Sequence, residues 1–590
     1  MRFLQKSGRI RLLSFIFFGA KPIALDTRGG TPVRTALGAA FLALALSFST
    51  AFASDRTPGQ AAIASAHPLA TEAGMTILEQ GGNAFDAAVA VAAALAVVEP
   101  TGSGLGGGGF FLLHRASDSL YTMIDAREKA PLAASRDMFL DEKGDPVRGL
   151  STETALAAGI PGEPAALGYL AEKYGRLPLS KSLAPAIRLA REGFPLYPRL
   201  QAGIRFKKDD FRKSPDTARV FLVKGEVPPL GHVIRQPELA RTLELLAREG
   251  AQAFYEGPFA RRLVAGVRKL GGIWSEEDLR QYRVVEREPI VGEYRGARII
   301  SASPPASGGI ALVNALNILE GFDLESLDPA TRIHVIVEAM RRVHRDRAIY
   351  LGDPDFVKVP TEMLTSQFYA DGQRASLRLD RATPSASLPG IESIGAQGTH
   401  TTHFSVIDSE GNRVAATITL NLWFGTGLMV PGTGILLNNQ MDDFVIKPGT
   451  PNAYQLIGAE ANAIAPGKRM LSSSTPTFVE SERGVMIAGT PGGSRIIGMV
   501  LLAVLDFMAG RSASEIVSAP RFHHQYFPDV LLFEPGAFDQ ELQQALRQRG
   551  HELREGRERW GNLQVVVWDY ASGRVEAASD PRGQSGEDVY

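Results

Sequence analysis

The sequence predicts an α+β fold of layered helices and sheets, on three observations. Helical and β-prone periodicities are mixed along the chain, without the regular strand–helix alternation of a doubly wound sheet. Residues 401–408 and 413–420 are β-prone runs flanking the turn-forming Asp408-Ser409-Glu410-Gly411-Asn412, a hairpin signal. At 590 residues, with 44% hydrophobic and 22% charged content, the chain has an ordinary globular composition and a large core to bury.

Residues 1–53 read as addressing. Residues 36–52 are apolar, follow Arg34 and end in Ala51-Phe52-Ala53, a small-x-small cleavage pattern. Export with cleavage after Ala53 is therefore expected, to the periplasm or outside the cell. A second apolar patch at 12–20 does not suit a single signal peptide. Translation from near Val33 would leave a compact one, with Arg34 as its basic end. Residues 35–53 are uncharged and long enough to span a bilayer, so a retained anchor is the competing reading.

Helical periodicity then marks residues 68–80, 84–98, 161–174, 237–249, 258–270 and 330–350. Strand-like pieces lie at 109–114, 120–125 and 290–294. On the last helix, Arg341-Arg342-Val343-His344-Arg345 reads as a solvated face. Residues 381–398 lose periodicity and become rich in Ser, Pro, Ala and Gly, which reads as a mobile tail running into the hairpin. Beyond the hairpin the pattern gives a loop-rich stretch at 425–471, strands at 477–479 and 484–487, and a buried helix at 494–509. A helix at 540–550 and a strand at 563–570 follow.

Composition removes several chemistries. There is no cysteine, which excludes thiolate nucleophiles, zinc–cysteine sites and disulfides. A formal net charge of -1 with scattered basic residues gives no reason to expect nucleic acid or an anionic membrane as partner.

The hydroxyl heading the hairpin is the most informative feature. A turn centred on Glu410 places Thr401 opposite Thr419, with Cβ atoms roughly 5 Å apart, within reach of a hydroxyl–hydroxyl bond. A chain cut before Thr401 would give that residue both a nucleophile and, as a free α-amine, its own base. The glycine run 102–109 follows a helix and precedes a strand, the wrong order for a phosphate cradle, and reads as close backbone packing or a floor beneath a site. Thr490-Pro491-Gly492-Gly493-Ser494-Arg495 opens a helix and reads either as a tight turn or as an oxyanion hole. Adjacent His523 and His524 point to opposite strand faces and read as structural. Asn438 to Phe444 and Leu471-Ser472-Ser473-Ser474 read singly as loops and caps.

Together these motifs resemble the γ-glutamyltransferase family over residues 61–582. They include Gly104 to Phe110, Arg127-Glu128-Lys129-Ala130-Pro131, Thr401 to Ser405, Thr419-Leu420-Asn421 and Phe424 to Gly427. Gly434 to Phe444, Leu471-Ser472-Ser473, Pro491 to Arg495, Pro520 to Gln525 and Ser579 to Arg582 complete the set. The resemblance implies a four-layer αββα sandwich of the N-terminal-nucleophile hydrolase type. It implies a precursor that cuts itself between His400 and Thr401 into an intertwined heavy chain (54–400) and light chain (401–590).

Carried over residue by residue, Thr401 is the nucleophile, Thr419 orients it, and Gly492 and Gly493 hold the oxyanion. Arg127, Ser472 and Ser473 meet a substrate α-carboxylate. Asn421, Gln440 and Asp443 receive its α-ammonium. Residues 447–454 resemble a lid loop with Tyr454 as the gating aromatic. The implied reaction is γ-glutamyl transfer from glutathione to water or to amino acid and peptide acceptors. It needs no metal or organic cofactor and no stable membrane partner. Leu422 and Trp423 stand where small polar residues are common in the family, and Met470 where proline is expected. The alternatives are a glutaryl-type β-lactam acylase of the same family and an uncleaved periplasmic protein that binds γ-glutamyl compounds.

Overall fold

Two antiparallel sheets stacked face to face form the centre of the structure, a computed structural model that describes residues 56–390 and 401–590. The expected addressing segment (1–53) and the end of the expected tail lie outside the described residues. The seven-stranded sheet runs edge to edge through Gly586–Val589, Ala62–Ser65, Thr402–Ile407, Arg413–Thr419, Gly108–Arg115, Leu120–Ala126 and Val285–Arg287. The six-stranded sheet runs through Val575–Ser579, Gln564–Asp569, Gly484–Gly489, Thr477–Glu480, Ala297–Ser301 and Ile290–Tyr294.

Strand alternation builds the layers. Phe110 and Leu112 face the second sheet and pack with Ile300, Phe478, Ile487, Val566 and Trp568. Their neighbours Phe111 and Leu113 point the other way, into a helical layer that includes Ala84–Val98 and Leu179–Glu192. In the six-stranded sheet Ile299, Val565 and Val567 face the opposite helical layer, which includes Gly308–Glu320, Pro329–Tyr350 and Ile496–Met508. The result is the expected αββα sandwich.

The helices follow from local sequence. Asn83 caps Ala84–Val98 in a capping box with Asp86, and all fifteen residues of this alanine- and valine-rich helix are buried. Asp328 caps Pro329–Tyr350, with proline in the first turn where its missing N–H costs nothing.

Two expectations are corrected. Arg341, Arg342 and His344 are buried rather than solvated. Arg342 Nη1 donates to Glu338 Oε2 at 2.6 Å, and Arg341 donates to Ser385 Oγ at 2.6 Å and to the Asp529 carboxylate. Burial raises the Glu338 carboxyl, but the two guanidiniums win and hold it at about 2. Residues 381–390, read as the start of a mobile tail, are instead pinned: Ser385 is fully buried and its amide donates to Asp529 Oδ2 at 2.7 Å. A helix that looks amphipathic by charge is thus covered on its charged side by chain from elsewhere.

Candidate active site

The hairpin register is the one the sequence implied. Ile418 pairs with Thr402 and Arg413 with Ile407, so the next position sets Thr401 against Thr419. Asp408 fixes the turn, its side chain accepting from the amides of Glu410 and Asn412 at 3.0 Å each. Thr419 Oγ1 donates to Thr401 Oγ1 at 3.4 Å and accepts the Asn421 amide at 2.8 Å. Both threonines are buried.

Alternation puts Thr401 on the face of His403 and Ser405, which looks into the space between the sheets. The Ser405 hydroxyl reaches the Gln564 carbonyl of the second sheet at 3.1 Å. The His403 ring is engaged within the hairpin. Its nitrogens contact Thr417 Oγ1 at 2.8 Å and Ser405 Oγ at 3.3 Å, and burial lowers its pKa to about 3.

The glycine run is a floor beneath this hairpin. A Cβ on Gly107 would lie 2.1 Å from the Thr419 carbonyl oxygen, and one on Gly109 would lie 2.2 Å from that of Thr417. Only glycine permits so close a backbone approach.

Gly492 and Gly493 adopt φ of 146° and 59° just before the Ile496–Met508 helix. A Cβ on Gly493 would fall 2.2 Å from the Tyr454 ring. The Tyr454 hydroxyl donates to the Asn421 carbonyl at 2.6 Å, so this aromatic bridges the glycine pair and the residue two positions beyond Thr419. Asp442 anchors the 447–454 loop by accepting the Ala453 amide at 2.9 Å and the Ser151 hydroxyl at 2.8 Å. Burial raises its carboxyl to about 6.

A buried polar cluster lies beside this. Arg127 is fully buried; its Nη2 donates to Asp443 Oδ2 at 2.5 Å and its Nε to the Met470 carbonyl at 3.1 Å. Its Nη1 sits 3.5 Å from Glu128 and has no hydrogen-bond partner among the described residues. Burial raises the Asp443 carboxyl, against the pull of the Arg127 and Arg347 guanidiniums, and Gln440 Nε2 donates to it at 3.0 Å. Ser472 and Ser473 directly follow Leu471, whose carbonyl Arg127 Nη2 approaches at 3.5 Å. The Asn421 side chain donates to the Asn439 carbonyl at 2.9 Å, which ties the nucleophile region to the Gln440–Asp443 turn.

The departures from the family pattern are absorbed by packing. Trp423 stands edge-on to Phe206, with ring centroids 5.6 Å apart, and Met470 keeps the backbone carbonyl that Arg127 uses. Roles not assigned from sequence fall on Asp442, which anchors the 447–454 loop, and on Asn439, whose Oδ1 accepts the Leu422 amide at 3.1 Å. Both sit in the quoted 438–444 motif, where amides and carboxylates crowded behind an apolar run are the signal.

An αββα sandwich with a buried threonine heading a central hairpin and a glycine pair nearby defines the N-terminal-nucleophile hydrolase class. Residues 70–590 match the family model described as Gamma-glutamyltranspeptidase. The chain is 42% identical over 528 residues to the glutathione hydrolase proenzyme of Escherichia coli strain K12, covering 89% of this chain and 90% of that one. Among solved structures it resembles a cephalosporin acylase from Bacillus halodurans, with a TM-score of 0.78, 30% identity and coverage of 90% and 96%. It also resembles Helicobacter pylori gamma-glutamyltranspeptidase, with a TM-score of 0.54 and 41% identity, over 55% of this chain and 93% of that one. The chain belongs to the gamma-glutamyltranspeptidase family.

Proposed function

We propose that the chain cuts itself between His400 and Thr401, giving a heavy chain (54–400) and a light chain (401–590), and then transfers γ-glutamyl groups from glutathione and related donors. The observation that carries this reading is the pairing of Thr401 with Thr419 beside a pocket that joins Arg127 to Asp443.

The freed α-amine has a pKa near 8, so it is partly neutral at working pH and takes the Thr401 hydroxyl proton as Oγ1 attacks the γ-carbonyl. Thr419 orients that hydroxyl. The Gly492 and Gly493 amides receive the oxyanion. The ammonium then protonates the leaving amine, and a γ-glutamyl ester on Thr401 remains. Water, an amino acid or a peptide amine attacks the ester, gives its proton to the same amine and regenerates Thr401.

The donor head is a zwitterion, and the pocket offers both signs of charge. Arg127 Nη1, with Ser472 and Ser473, suits the α-carboxylate; Asp443, Gln440 and Asn421 suit the α-ammonium. The Tyr454 lid covers this head. A glutaryl acylase, suggested by the likeness to cephalosporin acylase, has no use for an acidic ammonium acceptor, so Asp443 with Gln440 favours the γ-glutamyl donor.

No helix of the described residues is long and apolar enough to cross a membrane. Export as a periplasmic or secreted enzyme rests on the small-x-small pattern ending at Ala53. Intact mass and N-terminal sequencing of wild type and Thr401→Ala test the maturation. The reading holds if wild type shows a new chain starting at Thr401, the variant stays whole and only wild type releases glutamate from glutathione. A wild type that stays whole, yet binds γ-glutamyl compounds, would make the chain a binding protein.

A further inference from the structure

The Pro329–Tyr350 helix brings a second guanidinium toward the polar pocket. Arg347 is only 5% exposed, and its Nε donates to Ser307 Oγ at 3.1 Å. Ser307 then donates twice to the Ser472 carbonyl, from its amide at 2.8 Å and from its hydroxyl at 2.7 Å. The Ser472 amide returns a bond to the Pro305 carbonyl at 2.8 Å, which completes a parallel bridge between Ala306 and Ser472. The backbone that presents Ser472 and Ser473 is therefore gripped by residues from the other side of the proposed cut.

The same guanidinium feels the charges of Asp443 and Arg127. Burial lowers the Arg347 pKa to about 10, with Asp443 pulling it up and Arg127 pushing it down. Arg347 forms no ion pair among the described residues, and Nε is the only one of its side-chain nitrogens with a hydrogen bond there. A buried guanidinium without an ion-pair partner among the described residues, set beside Arg127 and Asp443 while burial holds the neighbouring Glu128 carboxyl up at about 8, leaves the site short of negative charge. A substrate carboxylate supplies it.

We propose that Arg347 is a positioning and specificity-determining residue for the γ-glutamyl head: paired with Arg127 it selects an α-carboxylate, and through Ser307 it fixes the backbone of the two serine donors. The proposal rests on the γ-glutamyl reading above. It makes the site a division of labour, with Arg127 and Arg347 before the cut and Asp443, Gln440, Ser472 and Ser473 after it.

The test compares competitive inhibition of the matured enzyme by three probes. L-Glutamate carries both the α-carboxylate and the ammonium. Glutarate keeps a carboxylate at that end without the ammonium, and 4-aminobutanoate keeps the ammonium without the carboxylate. The variants are Arg347→Met, Arg347→Lys and Ser307→Ala, each first checked for a chain beginning at Thr401. Arg347→Met is expected to weaken glutamate and glutarate by roughly 10- to 100-fold and to leave 4-aminobutanoate within about threefold. Arg347→Lys should recover part of that loss. Ser307→Ala, a mild change that leaves both guanidiniums in place, should weaken glutamate and glutarate by roughly three- to tenfold. Donor KM should rise with glutamate inhibition, with kcat little changed.

Equal weakening of all three probes would reduce Arg347 to a structural prop, and no weakening of any would remove it from the pocket. Either result overturns the proposal. If Arg347→Met does not mature, Ser307→Ala and Arg347→Lys carry the same comparison. If wild type itself binds none of the probes and releases no glutamate, the γ-glutamyl reading fails first, a result distinct from both.

Discussion

Thr419→Val keeps the shape of the side chain and removes its one polar atom. That atom makes two bonds, and their loss is read by different measurements. The Asn421 amide loses the acceptor it holds at 2.8 Å; Asn421 is 2% exposed and at φ 77°, so its N–H is left buried without a partner. Leaving such a donor unsatisfied costs about 1–3 kcal/mol, visible as a lower denaturant midpoint. The bond to Thr401 Oγ1 at 3.4 Å is longer than the usual O–H···O range, so it constrains the uncut chain only weakly. Catalytic hydrogen bonds tighten in the reacting complex, where a neutral one contributes about 1 kcal/mol, or roughly five- to tenfold in rate. Thr419→Val should therefore lose about that factor in kcat on a chromogenic γ-glutamyl anilide, measured on protein whose light chain begins at Thr401. Thr419→Ser restores the hydroxyl and should restore both readings. A Val variant destabilised by 1–3 kcal/mol on the same scale but within twofold of wild-type kcat would mean that Thr419 only props Asn421. A Ser variant as slow as Val would mean that the methyl group matters. Either outcome refutes the orientation argument.

Three further outcomes follow from the geometry. Gly493→Ala puts a Cβ into the Tyr454 ring at a φ of 59°, where a side chain costs about 1–2 kcal/mol; it should displace the lid and an oxyanion donor together, lowering kcat by about 100-fold or more. Asp443→Asn should raise KM for a γ-glutamyl donor by about 10- to 100-fold and for a glutaryl donor much less; equal losses would refute its assignment to the ammonium. Burial raises Glu163 from 4.5 to about 8, against the pull of the Gly104 backbone amide. A raised carboxyl pKa means the folded state binds the proton more tightly, so its contribution is fully present below about pH 4.5 and is lost as pH rises through about 8. Denaturant unfolding should show lower stability at pH 9 than at pH 6, and Glu163→Gln should flatten that difference.

What the sequence made legible was local. The hairpin register follows from a period of two and from turn formers whose place is unambiguous, so Thr401 meets Thr419 without knowledge of anything else in the chain. The capped helix Ala84–Val98 is legible for the same reason: Asn83, Asp86 and the apolar run are contiguous. The site's wider membership came from matching motifs in order, since Arg127 and Asp443 are distant in sequence and no periodicity joins them. The misreadings were also long-range. Arg341 looked solvated because its partners, Ser385 and Asp529, lie 44 and 188 residues away. Residues 381–390 looked mobile because composition reports propensity, and docking onto a buried charge overrides it. Arg347 escaped notice within the same helix, where a basic residue has a bland explanation until the chain around it is folded.

The topology also bears on what a cut before Thr401 would do. The Thr402–Ile407 strand is paired on both sides, with Ala62–Ser65 and with Arg413–Thr419, and no ladder pair among the described residues reaches ahead of Thr402. Breaking the preceding peptide bond therefore removes a covalent link and no sheet rung among the described residues. The rungs that join the two halves include central ones. Ala62–Ser65 pairs with Thr402–Ile407, Gly108–Arg115 with Arg413–Thr419, and Ala297–Ser301 with Thr477–Glu480. Each of the two central sheets thus contains strands from both halves, and neither half retains either of them whole. Burial of the residues between the sheets, such as Phe110 from one half and Phe478 from the other, is shared in the same way. The cut protein is expected to run as one species on gel filtration in native buffer and to unfold in a single transition that releases both chains together. Two transitions, or a light chain that elutes alone while still folded, would show that the halves are independent units and would undo the argument that one fold holds the nucleophile and both arginines in place.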